Sequence, residues 1–260
     1  MLQPSYASRE AWAKPGARRF ALVIPTLREA ACMGALLPRV VSALEPLPIE
    51  FEILVVDDDS GDGIGAAMAV ACADVRVRLI ERRGARGLAG AVLHGWQQTD
   101  ADLLGVMDAD LQHPPELAPR LVSEVLAGCD LAVGSRYARG GGVAGWHALR
   151  RGFSALAIWA AWPLQRKVHP VSDPMSGCFV VRRHCIEGIG FQRQGFKLLL
   201  EILVRGRVNS VREVPFVFGA RRAGRSKANL RTAWEYAVLL MRLYRERLRA
   251  VARLGEAAAD

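Results

Sequence analysis

Five short apolar runs, at residues 20–24, 53–56, 75–80, 103–107 and 131–133, alternate with segments in which Leu, Val and Ala recur at helical spacing. Helices are predicted over 29–44, 65–73, 88–98 and 115–127. A βαβα order of this kind places consecutive strands side by side through right-handed crossovers, which predicts an α/β fold: a mostly parallel, twisted sheet with helices on both faces. After residue 134 the rhythm changes. A Gly-rich stretch at 139–142 leads to an apolar helix near 152–162, a helix over 196–204, a last strand over 211–218 and a C-terminal amphipathic helix from about Thr232. The chain divides by this reading into a loose leader (1–19) carrying Pro4, Pro15 and Gly16, a main domain (20–227), and a C-terminal amphipathic helix and tail (228–260). No internal repeat interrupts it.

Within that frame the stretch from Leu103 to Glu116 is the most informative. Its apolar run breaks into Asp108, Asp110 and Gln112 at every second position before Pro114 and Pro115 stop it. Alternate residues of an extended chain share a face, and open α/β sheets bind ligands at the carboxyl ends of their strands. Three oxygen-bearing side chains there suit a hard divalent cation, which also lets two neighbouring carboxylates stay ionised together. An acidic strand-end turn is the plainer alternative.

The other strand ends are polar too. The first ends at Pro25-Thr26 with Glu29 soon after, and the second in Asp57-Asp58-Asp59-Ser60-Gly61-Asp62. Such groups can hold a base and ribose, or they can cap the helix that follows. Arg86-Gly-Leu-Ala-Gly90 opens a helix whose N–H groups, with Arg86, suit a diphosphate. The glycines lack both the dinucleotide fingerprint and the Gly-Lys-Ser/Thr of a P-loop, so neither a Rossmann dehydrogenase nor a P-loop NTPase is supported.

Charge narrows the partner. With 35 Lys and Arg against 26 Asp and Glu, the net charge of +9 favours an anion: nucleic acid, a lipid surface or a phosphorylated substrate. No helix-turn-helix, zinc or RNP-like signature supports nucleic acid. The five cysteines are odd in number and scattered without metal-ligand spacing, and the five histidines show no zinc-like pairing; reduced thiols in a cytoplasmic compartment are expected. No secretory signal is visible, and the apolar segment 153–164 is shorter than the roughly 20 residues a spanning helix needs.

Taken together, Pro25-Thr26, Val55-Val-Asp-Asp-Asp-Ser60, the Arg-Gly-Leu at Gly87, Met107-Asp-Ala-Asp-Leu-Gln-His-Pro-Pro115 and Gly134-Ser-Arg-Tyr137 resemble the inverting family-2 glycosyltransferases. With Asp173-Pro-Met-Ser-Gly177, Gly195-Phe-Lys197, Glu213-Val-Pro-Phe216 and Arg221-Arg-Ala-Gly-Arg-Ser-Lys227, the set is similar to the polyprenol (dolichol) phosphate mannosyltransferases, from about Phe20 to Lys227. The resemblance implies a GT-A fold that takes a nucleotide-sugar donor, GDP-mannose by preference, and Mg²⁺ or Mn²⁺, and passes the sugar to a polyprenyl phosphate. Carried over by position, Pro25, Glu29, Val56 and Asp58 hold base and ribose, with Arg86 and Gly87 beside them. Asp108, Ala109 and Asp110 lie at the sugar and diphosphate, and Asp108, Asp110 and Gln112 serve the metal. Arg136, Arg150, Arg221 and Lys227 surround the acceptor phosphate, so that Asp110, Arg136 and Arg221 carry the chemistry. Leu27 and Arg28 stand where the family has Tyr and Asn, which removes an aromatic contact to the base.

The chemistry needs no strong base, because a lipid monophosphate with a second pKa of about 6 is already an anionic nucleophile. The glycines of 138–145 suit a loop that closes over the acceptor. Phe153, Trp159 and Trp162 beside Arg150, Arg151, Arg166 and Lys167 suit a headgroup region. The basic C-terminal helix suits the domain surface, anionic lipid or a membrane-embedded partner subunit. Peripheral attachment to the cytoplasmic face of a membrane is the expectation. The alternatives are a sibling that transfers another sugar, such as glucose from a UDP donor, and a non-catalytic nucleotide-sugar-binding protein.

Overall fold

A computed structural model describes residues 18–84, 86–143, 148–165, 170–192, 197–219 and 230–257, with the side chains of 148–151, 153, 230–232 and 250–257 excepted. The predicted alternation is present: β1 (Arg19–Thr26), α1 (Ala30–Leu44), β2 (Glu50–Asp57), α2 (Ile64–Ala71), β3 (Val77–Glu81), α3 (Leu88–Gln97), β4 (Leu103–Val106), α4 (Leu117–Leu126) and β5 (Leu131–Ser135). Then follow β6 (Gly142–Val143), α5 (Ala148–Ala161), β7 (Phe179–Arg182), α6 (Leu198–Arg205), β8 (Val211–Pro215), β9 (Val217–Phe218) and α7 (Leu230–Ala257).

Seven strands form one sheet in the order β3-β2-β1-β4-β7-β5-β8. Strand periodicity explains its two covered faces. Phe20, Leu22 and Ile24 pack on one side with residues of α1, α2 and α4, while Ala21 and Val23 face the other side with residues of α3 and α6. A Cβ at Gly95 would lie 2.7 Å from Val23 Cγ2, so the glycine lets α3 approach the strands closely.

Two features depart from the sequence reading. β7 was not anticipated, and it runs antiparallel between β4 and β5, so the sheet is mixed on that side. The apolar stretch 211–218 is two strands: β8 pairs with β5 as far as Pro215, and β9 pairs with β6 in a separate two-stranded sheet. Proline has no N–H to continue a ladder.

The C-terminal helix docks on the body. Leu239 and Leu243 bury against Ala161, Leu164 and Leu200. Tyr236 and Tyr244 donate hydroxyls to the carbonyls of Ala157 (2.6 Å) and Ala160 (2.8 Å), and Arg247 donates to that of Pro163. Among the described residues no helix is long and apolar enough to cross a membrane.

Candidate functional site

The register of β1 and β2 sets Pro25 beside Val56 and Thr26 beside Asp57, so the first two acidic strand ends adjoin. The three consecutive aspartates divide their work. Asp57 accepts from Thr26 Oγ1 (2.9 Å), Ser60 N (2.8 Å) and Ser60 Oγ (2.5 Å), and so ties the turn together. Asp62 accepts Ala30 N at 3.0 Å at the start of α1, close to Glu29. Asp58 caps nothing of its own: its carboxylate takes Arg82 Nη1 at 2.6 Å and Gly87 N at 2.7 Å. Burial pushes its pKa up, against the pull of the Gly87 N–H and Arg82. Gly87 has φ +143, a backbone conformation side chains disfavour, and Arg86 reaches back to the Asp59 carbonyl at 3.1 Å. Thus the third strand end and the start of α3 are pinned onto Asp58. Leu27 is half-buried and Arg28 exposed, with Arg28 N donating to Ser60 Oγ at 2.8 Å.

At the end of β4 the strand stops at Val106, earlier than predicted, so the acids lie on a turn rather than on an extended strand. Leu111 takes φ +61 and Gln112 N donates to Asp110 Oδ1 at 3.1 Å. Ala109, Asp110 and Gln112 are buried, whereas the Asp108 side chain keeps 30% exposure. Gln112 is braced on β9's far end, where Nε2 donates to the Gly219 carbonyl (3.0 Å) and its own carbonyl accepts Gly219 N (2.9 Å). Arg221 and Lys227 follow Gly219 but lie outside the described residues, as does the side chain of Arg150 and part of the predicted 138–145 loop.

Behind Asp108 is a compact polar group drawn from four of the sequence motifs. Arg136 forks onto Asp173, with Nε to Oδ2 and Nη2 to Oδ1 both at 2.7 Å. Asp173 is fully buried and the Arg136 backbone N–H also reaches it, at 3.1 Å. His113 packs against the rings of Phe216 and Phe218, which also touch each other, with Nδ1 3.5 Å from Asp108 Oδ2 and making no hydrogen bond. Burial pushes its pKa down to about 4, so the imidazole is neutral near pH 7. Lys197 donates to the Met175 carbonyl at 3.4 Å, and burial, with Arg136 nearby, brings its pKa down to about 8. A Cβ at Gly177 would meet Asp108 Oδ2 at 2.5 Å, so only glycine lets that chain close on the carboxylate.

Residues 21–190 match the family described as glycosyl transferase family 2. The chain belongs to that family. It is 39% identical over 225 residues to the dolichol-phosphate mannosyltransferase of Pyrococcus furiosus, covering 86% of this chain and 63% of that relative's length. The enzyme of the same name from Saccharomyces cerevisiae is 36% identical, with 86% of each chain covered. Among solved structures, glucosyl-3-phosphoglycerate synthase from Mycobacterium tuberculosis, with Mn²⁺, UDP-glucose and phosphoglyceric acid, superimposes with a TM-score of 0.63 at 20% identity, covering 89% and 86% of the two chains. The fold of this family member is GT-A-like.

The donor chemistry at the β4 turn fits a hard divalent ion. Asp108 and Asp110 supply carboxylates and Gln112 an amide oxygen, with no sulfur or imidazole among the three. Asp173, Lys197 and His113 were missed as site residues because each gains its meaning only from a distant partner. Their signal in the sequence was the pair of short motifs ending at Gly177 and Lys197, together with the position directly after Gln112.

Proposed function

We propose that the chain transfers mannose from GDP-mannose to a polyprenyl phosphate, with inversion at the anomeric carbon, giving polyprenyl-phosphate mannose and GDP. The observation that carries this reading is the 36–39% identity, over 86% of the chain, to two relatives named as dolichol-phosphate mannosyltransferases. The strand-end acids are the site that such a reaction would use. Pro25, Glu29, Val56 and Asp58 hold the base and ribose, with Asp58 oriented by Arg82 and Gly87. Asp108 and Ala109 face the sugar. Asp108, Asp110 and Gln112 would hold Mg²⁺ or Mn²⁺, which supplies charge neutralisation for the departing diphosphate.

The acceptor phosphate attacks the anomeric carbon as the carbon–oxygen bond to the diphosphate breaks, and the electron pair leaves with GDP. Bringing two anions together is the main obstacle. Arg136, Arg150, Arg221 and Lys227 lower it by holding the incoming phosphate in line. Arg136 is well prepared for that work, since Asp173 fixes its plane before any ligand arrives. Lys197 adds a cation whose charge responds to the same carboxylates.

The lipid acceptor calls for peripheral attachment at the cytoplasmic face of a membrane. Trp159 is 74% exposed on α5 and Trp234 68% exposed on α7, with Leu156, Trp162 and Met241 also exposed. Arg242, Arg245 and Arg249 on the same C-terminal helix favour anionic headgroups. Sedimentation with anionic vesicles tests this attachment, and a chain that stays in the supernatant refutes direct docking, leaving a membrane-embedded partner subunit as the route.

The deciding experiment mixes the purified chain with radiolabelled GDP-mannose, a polyprenyl phosphate in detergent and Mg²⁺ or Mn²⁺, and follows label into the organic phase. Transfer that needs both metal and lipid is expected. Transfer from UDP-glucose in its place would move the donor assignment, in keeping with Leu27 and Arg28. Binding of either donor without transfer would sink the enzymatic reading.

A further inference from the structure

A second cluster of ligand-type side chains lies at the other end of the sheet. β4 runs parallel to β1, and both β4 and β5 run antiparallel to β7, so β4 and β5 point the same way. Asp130 immediately precedes β5 and Arg136 immediately follows it. Six rises of about 3.3 Å each separate those positions by roughly 20 Å. Whatever collects around Asp130 therefore cannot touch a donor held at the strand ends.

What collects there is a carboxylate, an imidazole and a thiol. His184 Nε2 is 4.0 Å from Asp130 Oδ1 and 3.4 Å from Cys185 Sγ, and all three ligand atoms lie within 4.8 Å of one another. A tetrahedral ion with bonds of about 2.0 Å to nitrogen and oxygen and about 2.3 Å to sulfur spaces its ligands roughly 3.3–3.8 Å apart. The three atoms need only a small closure to meet that spacing. Asp130 is also oriented from behind: its Oδ2 accepts Asn209 N at 2.7 Å and Ser210 N at 3.1 Å, which turns Oδ1 toward the histidine. Supports of this kind are what fix the ligands of metal sites. The neighbouring cation Arg182 is engaged elsewhere, donating to the carbonyls of Cys129 (3.0 Å) and Val125 (2.6 Å). The His184 side chain is 66% exposed, so an ion can reach it from solvent, while Cys185 is fully buried.

We propose that Asp130 Oδ1, His184 Nε2 and Cys185 Sγ bind one thiophilic divalent ion of the Zn²⁺ type, with solvent as the fourth ligand. The sulfur, nitrogen and oxygen set suits a borderline ion, in contrast to the all-oxygen set at Asp108, Asp110 and Gln112. On binding, the S–H bond of Cys185 gives way to a metal–sulfur bond and the proton passes to solvent. One carboxylate and one thiolate then balance the ion's two charges. The bound ion ties the entry of β5 to the turn after β7, two strands that pair at Leu131 and Val181.

Co²⁺ is the probe, added to the full chain in excess Mg²⁺ so that the all-oxygen site is occupied. One equivalent is expected to raise an intense near-ultraviolet thiolate-to-cobalt band that Cys185→Ala abolishes. His184→Ala, at an exposed position that tolerates truncation, is expected to weaken Co²⁺ at least about tenfold. Zn²⁺ should displace the cobalt and raise the Tm of the wild type but not of His184→Ala. Absence of the band, unchanged affinity in His184→Ala, or an equal Tm rise in both proteins overturns the proposal. None of these readouts depends on transfer activity.

Discussion

Where the strands of the sheet begin, most charged side chains complete the backbone. Arg182 and Arg183 donate to the carbonyls of Val125, Cys129, Thr99 and Ala101, and Asp102 accepts Arg19 N; the side-chain pairs of Glu52 with Arg78 and Thr99 and of Arg19 with Asp100 are the exceptions. Where the strands end, the same residue types engage one another: Arg82 holds Asp58, Arg136 forks onto Asp173, and Asp108, Asp110, Lys197 and His113 crowd the same turn. An unpaired carbonyl left inside a fold is costly, so the first arrangement is what stability alone selects. The second carries more carboxylate than capping requires, and its cations fix those carboxylates in position. Buried polar crowding beyond the needs of the backbone is the mark of a site.

The largest effect that would test this contrast is on turnover. Asp110→Ala is expected to lower mannosyl transfer about a thousandfold by removing metal-assisted stabilisation of the leaving diphosphate. Asp102→Ala, at the other edge, should leave turnover unchanged and cost about 1 kcal/mol of stability through one lost hydrogen bond. Equal turnover in both variants, measured by label transfer, would erase the distinction between the edges.

Next in size is a stability difference. Asp173→Ala strands the Arg136 guanidinium in a site where its side chain is only 10% exposed. The expected cost is about 3–5 kcal/mol in denaturant unfolding. The exposed pair of Arg19 and Asp100, at the strand beginnings, offers the comparison: Asp100→Ala should cost no more than about 1 kcal/mol. A smaller, steric effect follows at Gly177. Its alanine variant must push back the chain or the Asp108 carboxylate, and a misplacement of about 1 Å is expected to lower transfer up to about a hundredfold with a destabilisation of only about 1–3 kcal/mol.

These residues also show how far the sequence could be read. The five parallel strands and their helices announced themselves because each apolar run is bounded by helical spacing, and the acids at 57, 58, 108 and 110 because they directly follow such runs. β7 stayed hidden, since four residues between an irregular Asp-Pro-Met-Ser-Gly turn and a short 3-10 turn carry no periodicity to detect. The alternation argued for Asp108, Asp110 and Gln112 is not the local geometry: β4 ends at Val106, and the left-handed Leu111 turns the chain so that Gln112 N reaches Asp110. Asp173 and Asp130 could not be paired with Arg136 and His184 from spacing, because antiparallel β7 and its flanking turns are what deliver both contacts.

The last prediction concerns Glu201, which separates burial of charge from the marking of a site. Its carboxylate is fully buried on α6, with Oε2 held by Arg205 Nη1 (2.7 Å) and Gln192 N (3.2 Å) while Oε1 makes no hydrogen bond. Arg205 in turn pairs with Glu246 of α7 at 2.7 Å, so the carboxylate anchors the C-terminal helix. Burial raises its pKa above the ordinary 4.5, against the N–H of Gln192 and the charge of Arg205. The folded protein therefore holds the proton to higher pH than the unfolded chain does. Stability from this group is complete below about 4.5 and declines as pH rises from there through the folded pKa, by less than about 1.4 kcal/mol per pH unit. Glu201→Gln should flatten that decline in urea midpoints across the range while leaving transfer at the β4 turn intact. A variant that instead loses transfer with its fold preserved would mean that α7 is coupled to the strand ends, and that buried charge anywhere in this fold reports on the site.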